Sequence, residues 1–140
     1  SARPVVLTDR SKGMLELAAR RLTVDGRLRP GTRFVQADAF ALPFPPGGFE
    51  TVLCLGFLHL VDDIVSFVDG LRAQLRPDGR LFVSSLVAAL PLGTRYIGFL
   101  HRLGEMATPR TADELADLFG VPVRRRGSMA YLELGARTGG

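Results

Sequence analysis

Apolar residues in this chain come in two rhythms, short unbroken runs and longer stretches in which they recur every three or four positions. An unbroken run marks a strand covered on both faces in a parallel sheet, whereas the three-to-four spacing marks one side of a helix. The first run is Pro4-Val5-Val6-Leu7-Thr8-Asp9, a strand ending on a carboxylate. Ser11 then caps a helix that carries Met14, Leu15, Ala18, Ala19 and Leu22 at helical spacing and that Asp25-Gly26 terminates. Residues 28–33, with Pro30-Gly31, read as a loop, and residues 34–37 as a second strand leading to Asp38.

Between Leu42 and Gly48 stand three prolines and two glycines, so this segment is neither helix nor strand. Residues 51–55 form the third strand. Asp62 or Asp63 opens a helix with Ile64, Val65, Val68, Leu71 and Leu75 on one face, stopped by Pro77-Asp78-Gly79. Residues 80–86 are a further buried strand. Residues 94–106 place Tyr96, Ile97, Phe99, Leu100 and Leu103 around much of a helix, which suits burial or a lid over a cleft. Thr111-Ala112-Asp113-Glu114 is a capping box opening a short helix through Leu115, Leu118 and Phe119, ended by Gly120. Residues 121–126 and 129–136, separated by Gly127-Ser128, read as a closing β-hairpin.

This order of elements indicates an α/β domain with right-handed crossovers and a mostly parallel sheet that gains an antiparallel hairpin. In such sheets ligands bind beyond the carboxyl ends of the strands, where the connecting loops diverge. Residues 34–63 hold two such ends, one at Asp38 and the other from Cys54 to His59.

Composition narrows the class. A chain of 140 residues with 46% hydrophobic content fits one domain with a real core. The most apolar run, residues 81–92, is broken by Ser84, Ser85 and Pro91, so no membrane span is expected. The amino terminus lacks the layout of a signal peptide, and the single cysteine, Cys54, excludes an internal disulfide framework. A cytoplasmic protein is the expectation. The formal charge is +4, and all but one of the 18 basic residues are arginine, spread along the chain. The only run, Arg124-Arg125-Arg126, reads as a solvated strand or turn, so no nucleic-acid partner is expected.

Taken together, several segments resemble the class I S-adenosylmethionine-dependent methyltransferases, specifically the small-molecule ubiquinone/menaquinone type. They are Val6-Leu7-Thr8-Asp9-Arg10-Ser11 with Met14-Leu15 and Ala18; Ala37-Asp38-Ala39 with Leu42-Pro43-Phe44; Phe49-Glu50-Thr51-Val52; Leu58-His59; and Leu75 with Pro77-Asp78-Gly79-Arg80-Leu81. The likeness covers essentially the whole chain. It implies a Rossmann-like three-layer sandwich, S-adenosyl-L-methionine as cofactor, and methyl transfer to a small-molecule acceptor by in-line displacement.

By that resemblance Asp9 accepts hydrogen bonds from the two ribose hydroxyls, and Met14 belongs to the cofactor site; Arg10 stands where the family often has an apolar residue against the adenine, its guanidinium either stacking there or turned to solvent. Asp38 accepts from the adenine amino group, Ala39 meets the ring edge through its backbone, and Phe40 packs nearby. A carboxylate suits both tasks because it only accepts. Leu55 and Gly56 would lie beside the methionine part of the cofactor. Cys54 reads as a small buried hydrophobe. His59 is the candidate general base, and a structural histidine anchoring the following helix is the other reading; His101 is a candidate substrate contact. No metal site is expected, and a homodimer remains open.

The family's first strand and its glycine-rich loop have no counterpart, since no Gly-x-Gly precedes Asp9. The expectation is therefore a single methyltransferase domain over residues 1–140, incomplete at its amino-terminal side, with a sheet of order 3-2-1-4-5-7-6 lacking its strand 1. Two other functions stay in play: a non-catalytic pseudo-methyltransferase scaffold, and a nicotinamide-dependent oxidoreductase, which also places an acidic residue after its second strand.

Overall fold

The computed structural model describes residues 3–87 and 110–137. Within them the chain forms two compact units, residues 1–43 and 44–140. The helix expected over residues 94–106, and His101 with it, lies outside the described residues.

In the first unit, β1 (Val5–Asp9) runs parallel to β4 (Thr32–Gln36), in a register that sets Asp9 opposite Gln36. Between them comes α1 (Lys12–Leu22). Ser11 caps it, its hydroxyl accepting from the Met14 amide at 3.2 Å, and Arg20 and Arg21 in the last turn suit the negative end of the helix dipole. Of α1 only Leu15 is buried. The helix stops at Thr23, two residues before Asp25-Gly26. Those two residues instead turn a small antiparallel hairpin, β2 (Thr23–Val24) with β3 (Arg27–Leu28). Asp25 and Gly26 have φ of 51° and 72°, the pair of positive values that a two-residue hairpin loop following the strand twist requires. Neither β1 nor β4 has a fully buried residue, so the doubly covered strand expected at residues 4–9 is not found.

The second unit holds most of the core. Its sheet has the order β5-β6-β8-β7, built from β5 (Phe49–Cys54), β6 (Leu75–Leu86), β7 (Val123–Arg126) and β8 (Met129–Gly135). β5 and β6 are parallel, and the β7–β8 hairpin extends β6 in antiparallel sense. Along β8 burial alternates, with Ala130, Leu132 and Leu134 buried and Tyr131 and Glu133 exposed. One face of β8 is therefore covered and the other exposed. The helices α2 (Ile64–Arg72) and α3 (Ala112–Phe119) contribute Ile64, Phe67, Val68, Leu71 and Leu115 to the core.

Asp63 caps α2 and accepts from the Ser66 amide at 3.1 Å, as the sequence suggests. The far end differs. α2 stops at Arg72, Leu75 already belongs to β6, and Val65 is exposed while Phe67 is buried. The residues Pro77, Asp78 and Gly79 lie in an irregularity of β6, where one residue of β5, Glu50, stands against four of β6, residues 76–79. A bulge tolerates a proline that a regular ladder would not. The capping box at α3 is present in both directions, Thr111 Oγ1 accepting from Glu114 N–H at 3.2 Å and Glu114 Oε2 from Thr111 N–H at 3.0 Å.

With position 1 empty, the expected order 3-2-1-4-5-7-6 separates into 3-2 and 4-5-7-6. The two main sheets have those orders, β4-β1 and β5-β6-β8-β7. Among the described residues β1 and β5 are edge strands of their own sheets, each hydrogen-bonded to a neighbour on one side. Among the described residues no helix is long and apolar enough to cross a membrane.

Candidate functional site

The parallel pairing of β1 and β4 brings Asp9 and Asp38 to the same carboxyl edge of the first unit. The Ala37 amide donates to the Asp9 carbonyl at 3.0 Å, so the two strands stay paired up to the residue before Asp38. Each aspartate fixes its own turn. Asp9 Oδ1 accepts from the Ser11 amide at 2.7 Å, and Asp38 Oδ1 accepts from the Phe40 amide at 2.9 Å. In both carboxylates the second oxygen makes no hydrogen bond among the described residues. Gln36 Nε2 donates to the Arg10 carbonyl at 2.8 Å and ties the loop after β1 to the end of β4. Asp9, Arg10, Met14, Asp38, Ala39 and Phe40 thus occupy one end of this unit, with Met14 and Phe40 well exposed.

Leu55, Gly56 and His59 lie at the carboxyl end of β5 in the second unit. The parallel ladder runs to Cys54, opposite Val83. Gly56 follows at φ +67°, a left-handed value that glycine adopts without a Cβ clash, and its N–H donates to both the carbonyl (3.2 Å) and the hydroxyl (2.8 Å) of Ser84. A one-turn 3-10 helix, Leu58–Leu60, comes next, with Leu58 and Val61 buried as anchors on either side of the half-buried His59. His59 Nδ1 accepts from the Leu86 amide at 3.4 Å. Arg110 closes the turn from far along the chain, donating to the carbonyls of Val61 at 3.0 Å and Asp62 at 2.5 Å.

Ser84, Gln36 and Arg110 were not singled out by the sequence pattern. Ser84-Ser85 did carry a signal, since hydroxyls inside an apolar strand need partners. The roles of Gln36 and Arg110 arise from contacts 26 and 49 residues away and leave no local trace.

Burial pushes the Cys54 thiol up to about 11. The thiolate is the reactive form, so a raised pKa makes Cys54 a poor nucleophile near neutral pH. Folded protein at pH 8 should react slowly with an aromatic disulfide reagent and faster once urea unfolds it; equal rates would contradict the raised pKa. Burial also lowers the pKa of His59 from its ordinary value of 6.5. The unfolded chain then takes up this proton at a higher pH than the folded chain. Below about 6.5 the unfolded state binds more protons and stability falls as pH falls. Urea midpoints at pH 7.5 and 5.5 should show that decline reduced in His59→Asn; an undiminished decline would assign it to other groups.

Among the described residues no group of His, Cys, Asp and Glu is placed to hold a metal ion. Strand ends bearing acceptor groups, in parallel strand pairs connected by helices, define a Rossmann-like α/β protein. A family model described as a methyltransferase domain matches residues 1–83. The chain belongs to this methyltransferase domain family. It is 39% identical over 79 residues to a demethylmenaquinone methyltransferase of Clavibacter sepedonicus, which covers 56% of this chain and 31% of that protein. It is 32% identical over 108 residues to a ubiquinone/menaquinone biosynthesis C-methyltransferase of an Enterobacter species, covering 73% of this chain and 43% of the relative. The chain therefore spans less than half the length of either. In fold it is similar to a SAM-dependent methyltransferase of Thermotoga maritima, with a TM-score of 0.69 at 18% identity over 91% of this chain and 70% of that one.

Proposed function

We propose that the chain binds S-adenosyl-L-methionine and serves methyl transfer to a small-molecule acceptor by in-line displacement. The observation that carries the reading is the pair of carboxylates at adjacent strand ends, Asp9 and Asp38. One oxygen of each is taken by its own turn, and the other is left for a donor outside the described chain. That arrangement fits a nucleoside cofactor: Asp9 would accept from the ribose hydroxyls and Asp38 from the adenine amino group, with Arg10, Met14, Ala39 and Phe40 around the base. Leu55 and Gly56 would meet the amino-acid end. When bound, the cofactor supplies a methyl group on a sulfonium, which is already a good leaving group. The protein's part is then to orient and to exclude water.

Titration calorimetry with S-adenosylhomocysteine tests this. Saturable binding that Asp9→Asn weakens supports the reading. A folded chain with no heat of binding would leave the non-catalytic scaffold as the better account. Nothing in the fold favours the nicotinamide-dependent reading.

The same proposal covers organisation. Residues 1–140 would belong to a single methyltransferase domain that is incomplete on its amino-terminal side, a reading supported by the chain's spanning less than half the length of its relatives. A mass of 15.2 kDa for a stable natural monomer would contradict it. A cytoplasmic location is proposed on the single cysteine of the sequence, Cys54.

A further inference from the structure

We infer that His59 and Ser84 are positioning residues: together they end the β5–β6 ladder at Gly56 and hold that turn away from the sheet, His59 acting through Nδ1 as an acceptor for the Leu86 amide. The inference rests on the cofactor reading above, because it takes the Gly56 turn to face that ligand.

The ladder shows how the device works. In a parallel pair, a residue donates to the neighbour-strand carbonyl one position before its partner and accepts from the amide one position after it. Cys54 faces Val83, so residue 56 would face Ser85. The first half of that rung exists, because the Gly56 amide reaches the Ser84 carbonyl at 3.2 Å. The second half would run from the Leu86 amide to the Gly56 carbonyl. Instead the Leu86 amide donates to His59 Nδ1 at 3.4 Å, and the Gly56 carbonyl accepts nothing among the described residues.

Ser84 works from the other side. Its side chain is buried, at 3% exposure for the residue, and its hydroxyl accepts the same Gly56 N–H at 2.8 Å, closer than the carbonyl does. The positive φ of Gly56 turns the chain out of the strand, and a Cβ built there would meet no atom of the described residues within 4 Å. Among those residues the turn has its one donor occupied and its carbonyl released. A backbone amide left in the sheet without an acceptor is costly, so the imidazole is what lets the ladder stop without an orphaned Leu86 N–H. With Nδ1 accepting, the neutral ring carries its proton on Nε2, where it is a donor and not a base.

Asparagine separates this role from general-base catalysis, since its Oδ1 falls near the place of Nδ1 while nothing replaces Nε2. On the full chain, with S-adenosylhomocysteine as the probe, His59→Ala should weaken binding about 5- to 10-fold and His59→Asn should stay within about twofold of wild type. Ser84→Ala should weaken it by about threefold and Ser84→Thr restore it. Hydrogen exchange at the Leu86 amide should quicken in His59→Ala and return toward wild type in His59→Asn. A base that touches only the methyl acceptor would leave the probe's affinity unchanged in His59→Ala. That result, or unchanged Leu86 exchange in a folded His59→Ala, overturns the inference alone. Folded wild-type protein that binds no probe overturns the cofactor reading and the ligand-facing role of the turn with it.

Discussion

Replacing Asp38 by alanine should weaken S-adenosylmethionine binding by about 10- to 150-fold, equivalent to roughly 1.5 to 3 kcal/mol. On the proposed reading, the size follows from the loss of one charge-assisted hydrogen bond to the adenine amino group. Alanine alone leaves an ambiguity, because Asp38 Oδ1 also holds the Phe40 amide at 2.9 Å and fixes the turn. Asp38→Asn resolves it. An amide has one acceptor oxygen and one donor nitrogen, whereas the Phe40 N–H and, on the proposed reading, the adenine amino group are both donors. Whichever way the asparagine side chain is turned, one donor meets another. Asp38→Asn should therefore bind nearly as weakly as Asp38→Ala, by calorimetry. Wild-type affinity in either variant would remove the carboxylate from the site and leave it as a turn residue.

The largest stability loss should come from the covered face of the second sheet. Leu81 is 0% exposed, and its register partners are Val52 on β5 and Leu134 on β8. Leu81→Ala removes buried methyl groups from the middle of three strands that cannot close the gap without moving together. A loss of about 3 to 5 kcal/mol is expected, against a total of roughly 5 to 15 kcal/mol for a domain. Phe82, the next residue, points to the opposite face and is 37% exposed, so Phe82→Ala should cost clearly less despite the larger side chain. Urea unfolding of the two variants checks the order. A reversed order would mean that the sheet is covered on the face that carries Phe82.

Much of this organisation was legible in the sequence, for identifiable reasons. The capping box at Thr111 and Glu114 is a local pattern with one structural solution, and Gly127-Ser128 separates two runs that can only pair with each other. Asp9 and Asp38 were readable as strand ends because a carboxylate follows each apolar run at once. Where the reading departed from the structure, a residue pair had two local meanings. Asp25-Gly26 suits a helix stop as well as a hairpin loop, and the strands it joins are only two residues long. Pro77-Asp78-Gly79 suits a helix stop as well as a bulge, and only the pairing of β5 with β6 decides. The Gly56 amide's hold on Ser84, 28 residues away, is tertiary and has no local signature.

The edge position of β5 bears on how the isolated chain behaves in the test tube. A strand that is hydrogen-bonded on one side presents alternating donors and acceptors on the other, and these accept any strand of matching spacing. Natural edges are usually guarded by lysine, proline or an inward charge. From Phe49 to Leu58 the sole charge is Glu50, and Leu53 and Leu55 are 62% and 63% exposed. Concentrated stocks of the isolated chain should therefore form β-rich aggregates through residues 49–55, followed by thioflavin fluorescence, and Leu53→Lys should slow their growth; equal growth in both would clear this edge.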